Sequence, residues 1–264
     1  MDFGKAKAIN PDAWKKHWAF QPIANPEPPS ETGSSTHPVD AFVRRRLQEA
    51  GTSPSPQADG RTLVRRLSIS ITGLPPSAKD LQEAAALSDP TQLNTWLDAY
   101  ADRLLATPQF GERWARYWLD VSRYADTKGY VFTENREYKE AWRFREWVIK
   151  SLNSDMPYDE FLIRQLAGDR MPENEDPQQL AAMGFLTLGR RFLNNRHDII
   201  DDRIDVVSRG TMGLTVTCAR CHDHKFDPIP TADYYSLYGV FDSSHEPGNA
   251  PSSLRLVDHA KPRE

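Results

Sequence analysis

Apolar spacing along the chain is sparse before Pro38 and helical almost to the end after it. In VDAFVRRRLQEAG, Phe42, Val43, Leu47 and Ala50 share one face, and Gly51 is placed to stop the helix. RTLVRRLSISITG follows and closes on GLPP. Ser77 reads as an N-cap with Asp80 three residues on, opening SAKDLQEAAAL. Leu93, Trp96, Leu97, Tyr100 and Leu104 step at three and four residues; Trp114, Tyr117, Trp118, Val121 and Tyr124 do the same. KEAWRFREWVIKSLN, PYDEFLIRQLAG, PQQLAAMGFLTLG, DIIDDRIDVVSRGTMGL and TADYYSLYGVF complete the helical set. No alternating strand pattern of useful length is present, and there is no internal repeat. The pattern predicts a mainly α, irregular multi-helix domain of about eight to ten helices.

The boundaries follow from the breaks in this pattern. Residues 1–38 read as an N-terminal anchor, with Trp14, Trp18 and Phe20, and a Pro/Ser-rich connector within AFQPIANPEPPSETGSSTHP. Residues 39–245 form the helical body, and 246–264 a tail. At 264 residues, 39% apolar and with seven tryptophans, the chain can build a real core. Its net charge of −4, from 33 basic and 37 acidic residues, argues against a nucleic-acid footprint, since Arg44-Arg45-Arg46 lies among acids. No window of about eighteen apolar residues could cross a membrane. MDFGKAKAINPDAWKKHW lacks the apolar stretch of a signal peptide. A loop-like start and an uncapped KPRE end lead us to expect a piece of a longer, exported protein.

Both cysteines lie in one late stretch, TVTCARCHDHKFDP. Cys218-Ala-Arg-Cys221-His222 fits the attachment pattern of c-type haem. Two thiols three positions apart can each add to one porphyrin vinyl group, and the next imidazole becomes the proximal iron ligand. Three other readings compete: a disulfide in an oxidising compartment, a thioredoxin-type pair lacking its βαβ setting, and a crowded zinc site of Cys218, Cys221, His222 and His224. His224 and Asp227 are candidates for a hard metal or for hydrogen bonds to the haem ring, or they simply shape the loop.

Long stretches carry a family likeness: HWAFQPI, HPVDAFVRRRLQEAG, RRLSISITGLPP, GERWARYWLDVSRYADT, PYDEFLIRQLAGD and GLTVTCARCHDHKFDPIPTADYYSLYGVF. The chain resembles the second of two cytochrome-c-like modules of large exported planctomycete proteins. The resemblance covers nearly the whole chain and implies an excised middle piece, flanked by a first cytochrome-like module and a further domain. It implies haem c on Cys218 and Cys221 with His222 on the iron, in a periplasmic or cell-surface setting. The sixth iron position is less defined than in small cytochromes, because all five methionines precede the motif. The candidates are His197, His224, His245, His259, Met183 and Met212; His197 is favoured alongside an open position.

Two acidic groups offer other chemistry. In LDVSRYADT, Asp120 and Asp126 each lie three residues from Arg123 and are expected to flank its guanidinium, as an acid–base pair or an ion network. In HDIIDDRIDVVSRG, His197, Asp201 and Asp205 share a face with Arg209 next, suiting a cation or an i,i+4 salt bridge. Trp96, Trp114, Trp118, Trp142 and Trp147 read as core, with a sugar-binding cleft as the alternative. No phosphate loop, GxSxG elbow or HExxH is present. The leading expectation is a monohaem electron-transfer module serving adjoining domains or a redox carrier. The alternatives are an extracytoplasmic, carbohydrate-active enzyme using Asp126 and Asp205, and a structural interaction module.

Overall fold

Side-chain caps set where the helices begin. Asp59 accepts the Thr62 amide at 3.0 Å, Ser77 that of Asp80 at 3.1 Å, Asp89 that of Gln92 at 2.9 Å and Asn195 that of His197 at 3.1 Å. Each satisfies an amide that the first helical turn leaves without a partner. Proline opens α1 (Pro38–Glu49), α4 (Pro90–Leu105) and α5 (Pro108–Val121), where its missing N–H costs nothing. The computed structural model describes residues 12–29, 37–130, 134–171, 177–190 and 192–244. His245, His259, the 246–264 tail and parts of the connector lie outside them.

The remaining helices are α2 (Gly60–Thr72), α3 (Ala78–Ala86), α6 (Ala141–Asn153), α7 (Tyr158–Ala167), α8 (Gly184–Thr187), α9 (Arg196–Met212) and α10 (Thr231–Asp242). The mainly α architecture read from the sequence is therefore observed. One antiparallel ribbon departs from it: β1 (Thr127–Tyr130) pairs with β2 (Glu134–Glu137), Thr127 opposite Glu137. Four-residue strands are too short to leave a periodic signal. A second departure is PQQLAAMGFLTLG, which forms a 3₁₀ stretch, Pro177–Met183, before the short α8.

Three apolar clusters hold the helices. Val64, Ala84, Leu93 and Tyr100 join α2, α3 and α4. The largest cluster joins α5 to α9 through Phe144, Trp147, Phe161, Phe185 and Val206. Trp118 stacks on Phe185 with ring centroids 5.6 Å apart, and Trp147 stacks on Phe161 at 5.1 Å. The third cluster contains Ile200, Ile204, Val216, Ala219, Ile229 and Tyr234, and it seats the cysteine stretch between α9 and α10. Trp147 is core as expected, whereas Trp114 and Trp142 are each 44% exposed. On amphipathic helices some aromatic steps fall at the edge of the buried stripe rather than within it.

Close approach makes Gly184 specific. A Cβ there would lie 2.6 Å from the Cβ of Phe144, whereas one at Gly239 in α10 would meet nothing within 4 Å. Gly184→Ala should therefore lower unfolding free energy by about 1–3 kcal/mol through overpacking. Gly239→Ala should raise it by up to about 1 kcal/mol through helix propensity. Urea titration of both variants checks the pair, and equal effects would contradict this packing.

Candidate functional site

The cysteine turn is organised by what it buries. After α9 ends at Gly213 in the left-handed region, residues Val216–Arg220 form a 3₁₀ turn. That geometry repeats every three residues, so positions i and i+3 lie above one another. Val216 and Ala219 point inward, 4% and 0% exposed. Cys218 within the turn and Cys221 immediately after it, also three apart, are free, exposed thiols.

Arg220, between the two sulfurs, ties the turn to α9. Its Nη1 donates to Asp198 Oδ1 at 3.1 Å and lies 3.6 Å from Asp201 Oδ2. Asp201 Oδ1 accepts the hydroxyl of buried Tyr234 at 2.6 Å, bringing in α10. Burial and that carboxylate push the Tyr234 hydroxyl pKa well above its ordinary value. Tyr235 donates its hydroxyl to the Arg220 carbonyl at 3.2 Å. Sequence reasoning missed Arg220, Tyr234 and Tyr235; tyrosines in an amphipathic run carry no signal of a polar partner.

Hydrogen-bond logic distinguishes the two histidines of the stretch. His222 Nδ1 lies 2.8 Å from the Asp223 carbonyl oxygen. A carbonyl only accepts, so Nδ1 carries a proton, and in the neutral tautomer that this selects, Nε2 keeps the lone pair on an exposed side chain. In His224 the assignment is reversed. The amides of Phe226 and Asp227 donate to its Nδ1 at 3.3 and 2.9 Å, which puts the proton on Nε2, 3.2 Å from Thr215 Oγ1. The 3.4 Å approach of Asp227 Oδ2 to Nδ1 is then a close contact and not an ion pair. With both nitrogens engaged, His224 pins the loop and Asp227 closes it.

Of the other described candidates for the sixth iron position, His197 and Met183 have partners elsewhere. His197 Nδ1 meets the Tyr238 hydroxyl at 2.5 Å, and the two rings stack. Met183 packs against Gly168, and Met212 is exposed at the end of α9. Among the described residues no group of three or more His, Cys, Asp or Glu side chains gathers to hold a metal ion. A zinc site needs four donors converging on one point. Haem c requires no such convergence, since the sulfurs bond to carbon and a single imidazole reaches the iron.

The acids of LDVSRYADT do not share Arg123. Helix α5 ends at Val121 and Arg123 takes φ +58, so the i±3 geometry is lost there. Arg123 instead pairs with Asp202 at 2.7 Å, one interaction that sequence spacing could not reveal. Gly189 permits it, because a Cβ there would overlap both side chains. Burial raises the Asp202 carboxyl pKa, and the Arg123 charge opposes that rise. Asp126 accepts the Tyr124 hydroxyl at 2.6 Å, and Asp120 lines a cleft of about 340 Å³ between α5 and α6 with Arg116, Tyr124 and Arg145. On α9, Asp205 pairs with Arg209 at 2.7 Å. Asp201 turns to Tyr234, so the expected acidic stripe has separate partners rather than a common centre.

A family model described as "PSCyt2: Protein of unknown function (DUF1549)" matches residues 38–246. The chain belongs to this family. The PSCyt2 match takes in the whole helical body, including α1 to α10 and the cysteine turn. Its abbreviated name agrees with the cytochrome-like resemblance, and its description assigns no function. No curated protein and no solved structure matches this PSCyt2 chain. No helix among the described residues is long and apolar enough to cross a membrane.

Two measurements test these polar contacts. Burial and the Asp126 carboxylate raise the Tyr124 pKa from 10.0 to about 12. The unfolded chain ionises this group first, so its stabilising contribution is full below pH 10 and is lost as pH rises towards 12. Tyr124→Phe should flatten that alkaline slope in urea titrations; an unchanged slope would contradict the assignment. Asp202→Asn should lower stability by about 2–4 kcal/mol by stranding the Arg123 charge, measured by thermal and urea unfolding.

Proposed function

We propose that the turn from Cys218 to His222 is a c-type haem attachment site, and that this PSCyt2 chain is a monohaem electron-transfer module. The observation that carries the reading is the outward placing of two free thiols three positions apart, one on a 3₁₀ turn and one just after it, followed by an exposed imidazole whose Nδ1 faces a backbone carbonyl. Each thiol would add across one vinyl group, its sulfur bonding to one vinyl carbon and its hydrogen passing to the other, with no external oxidant. Cys218 and Cys221 would hold the group and His222 would supply an iron ligand. When bound, haem supplies reversible one-electron chemistry at the iron.

The chain's own residues prepare that attachment. Val216 and Ala219 seat the turn, Arg220 fixes it to α9, and Tyr235 holds its carbonyl. Haem maturation of this kind requires a compartment outside the cytosol, which places the module in an exported protein. Its electron partners are adjoining domains of the same polypeptide or a redox carrier. The acid–base alternative draws less support, because Asp126 and Asp205 are each engaged by a neighbouring side chain.

Expression with and without haem-attachment machinery tests the reading. Matured chain should gain the mass of one haem and show a sharp visible band on reduction. Cys218→Ala and Cys221→Ala should each lose one thioether, and the double variant should lose covalent haem altogether. Matured, folded wild-type chain that keeps its unmodified mass would overturn the proposal.

A further inference from the structure

We propose that Asp223 is a positioning residue that couples the start of α10 to the ring of His222. The iron-binding consequence rests on the haem-attachment reading, whereas the coupling lies wholly within the polypeptide. Thr231 opens α10, but the preceding residue is Pro230, which has no side chain able to accept an amide. Asp223 does this from across the loop, its Oδ1 accepting the Thr231 amide at 2.8 Å. The main-chain carbonyl of the same residue accepts the proton of His222 Nδ1, also at 2.8 Å. One residue thus caps a helix with its side chain and orients an imidazole with its backbone.

The loop between these contacts has little freedom. The His224 amide donates to the Ile229 carbonyl at 2.8 Å, and the Ile229 amide to the Asp227 carbonyl at 2.8 Å. Ile229 is buried in the cluster that also holds Val216, Ala219 and Tyr234. His224 reaches back to Thr215 at the other end of the turn. The Asp223 carbonyl shares a planar peptide with the His224 amide, so its direction is set jointly by the His224–Ile229 bond and by the Asp223 side chain anchored on Thr231. That carbonyl selects the Nδ1–H tautomer and leaves Nε2 as the basic nitrogen. Partners of this kind govern ligand basicity and ring orientation at metal centres.

The test begins on haem-free chain, reading the His222 tautomer by ¹⁵N NMR. Wild type should show predominantly the Nδ1–H form. Asp223→Ala should shift the tautomers towards a mixture, whereas Asp223→Asn should keep the wild-type pattern because asparagine caps as well as aspartate. Thr231→Pro provides a second route: it removes the donated amide at a position where helices accept proline, and it should reproduce the Ala result. On matured protein, added imidazole should displace His222 from the iron at about tenfold lower concentration in Asp223→Ala than in wild type or Asp223→Asn. A folded Asp223→Ala or Thr231→Pro chain with an unchanged tautomer would overturn the proposal, as would an Asn variant that behaves like Ala. Wild-type chain that never acquires haem would remove the proposed function while leaving the NMR result to stand or fall alone.

Discussion

The guanidinium of Arg220 sits between the two sulfur-bearing residues and reaches Asp198 and Asp201 on α9, and with the apolar side chains beneath the turn it holds the thiols outward. These charges are a quarter to rather more than a third exposed, with side-chain accessibilities of 37%, 35% and 25%. Pairs of that exposure contribute at most about 1 kcal/mol each. The larger stabilisation comes from the apolar side chains beneath, where burial of a Val, Ile or aromatic ring is worth about 1.5–3 kcal/mol. The two effects divide the work. Val216, Ala219, Ile229 and Tyr234 hold the turn down, while Arg220 and its acids fix its rotation, so that Cys218 and Cys221 lie on the open side. The Tyr234 hydroxyl on Asp201 then locks α10 onto the same carboxylate that faces Arg220.

A different logic governs the charges in the middle of the fold. Arg123 and Asp202 are mostly buried, and their pairing links the end of α5 to α9 across Gly189. Two guanidinium nitrogens of Arg123, Nε and Nη1, are buried without a protein partner. Such a group is costly to bury, and its charged contact with Asp202 is what offsets that cost. The Tyr138 hydroxyl reinforces this junction by donating to the Gly189 carbonyl at 2.7 Å. The acids that suggested catalysis in the linear sequence are thus largely engaged in assembling helices.

Helix positions were legible because caps and apolar periodicity are local. Ser77 with Asp80, the glycine after α1 and the repeated Trp/Tyr/Leu steps of α4 and α5 mark their elements within one or two turns. What could not be read was long-range partnership. Arg123 looked destined for Asp120 and Asp126, three residues away on either side, until a left-handed residue broke the helix and sent it to Asp202. His197 looked like a free ligand until Tyr238, from α10, met it. The cysteine motif was visible as spacing, yet the tautomer of His222 depends on the direction of one carbonyl, which no residue pattern encodes.

Membership of a family without an assigned function leaves chemistry to be argued from this turn. The central claim is that both sulfurs form thioethers to one porphyrin whose iron His222 binds. The most direct measurement is the reduced pyridine haemochrome spectrum of chain matured in a host with haem-attachment machinery. The account predicts one haem per chain, with the α band at the position of a porphyrin whose two vinyl groups are both saturated. A colourless chain, or a band at the position of haem with intact vinyls that washes away under denaturing conditions, would contradict it.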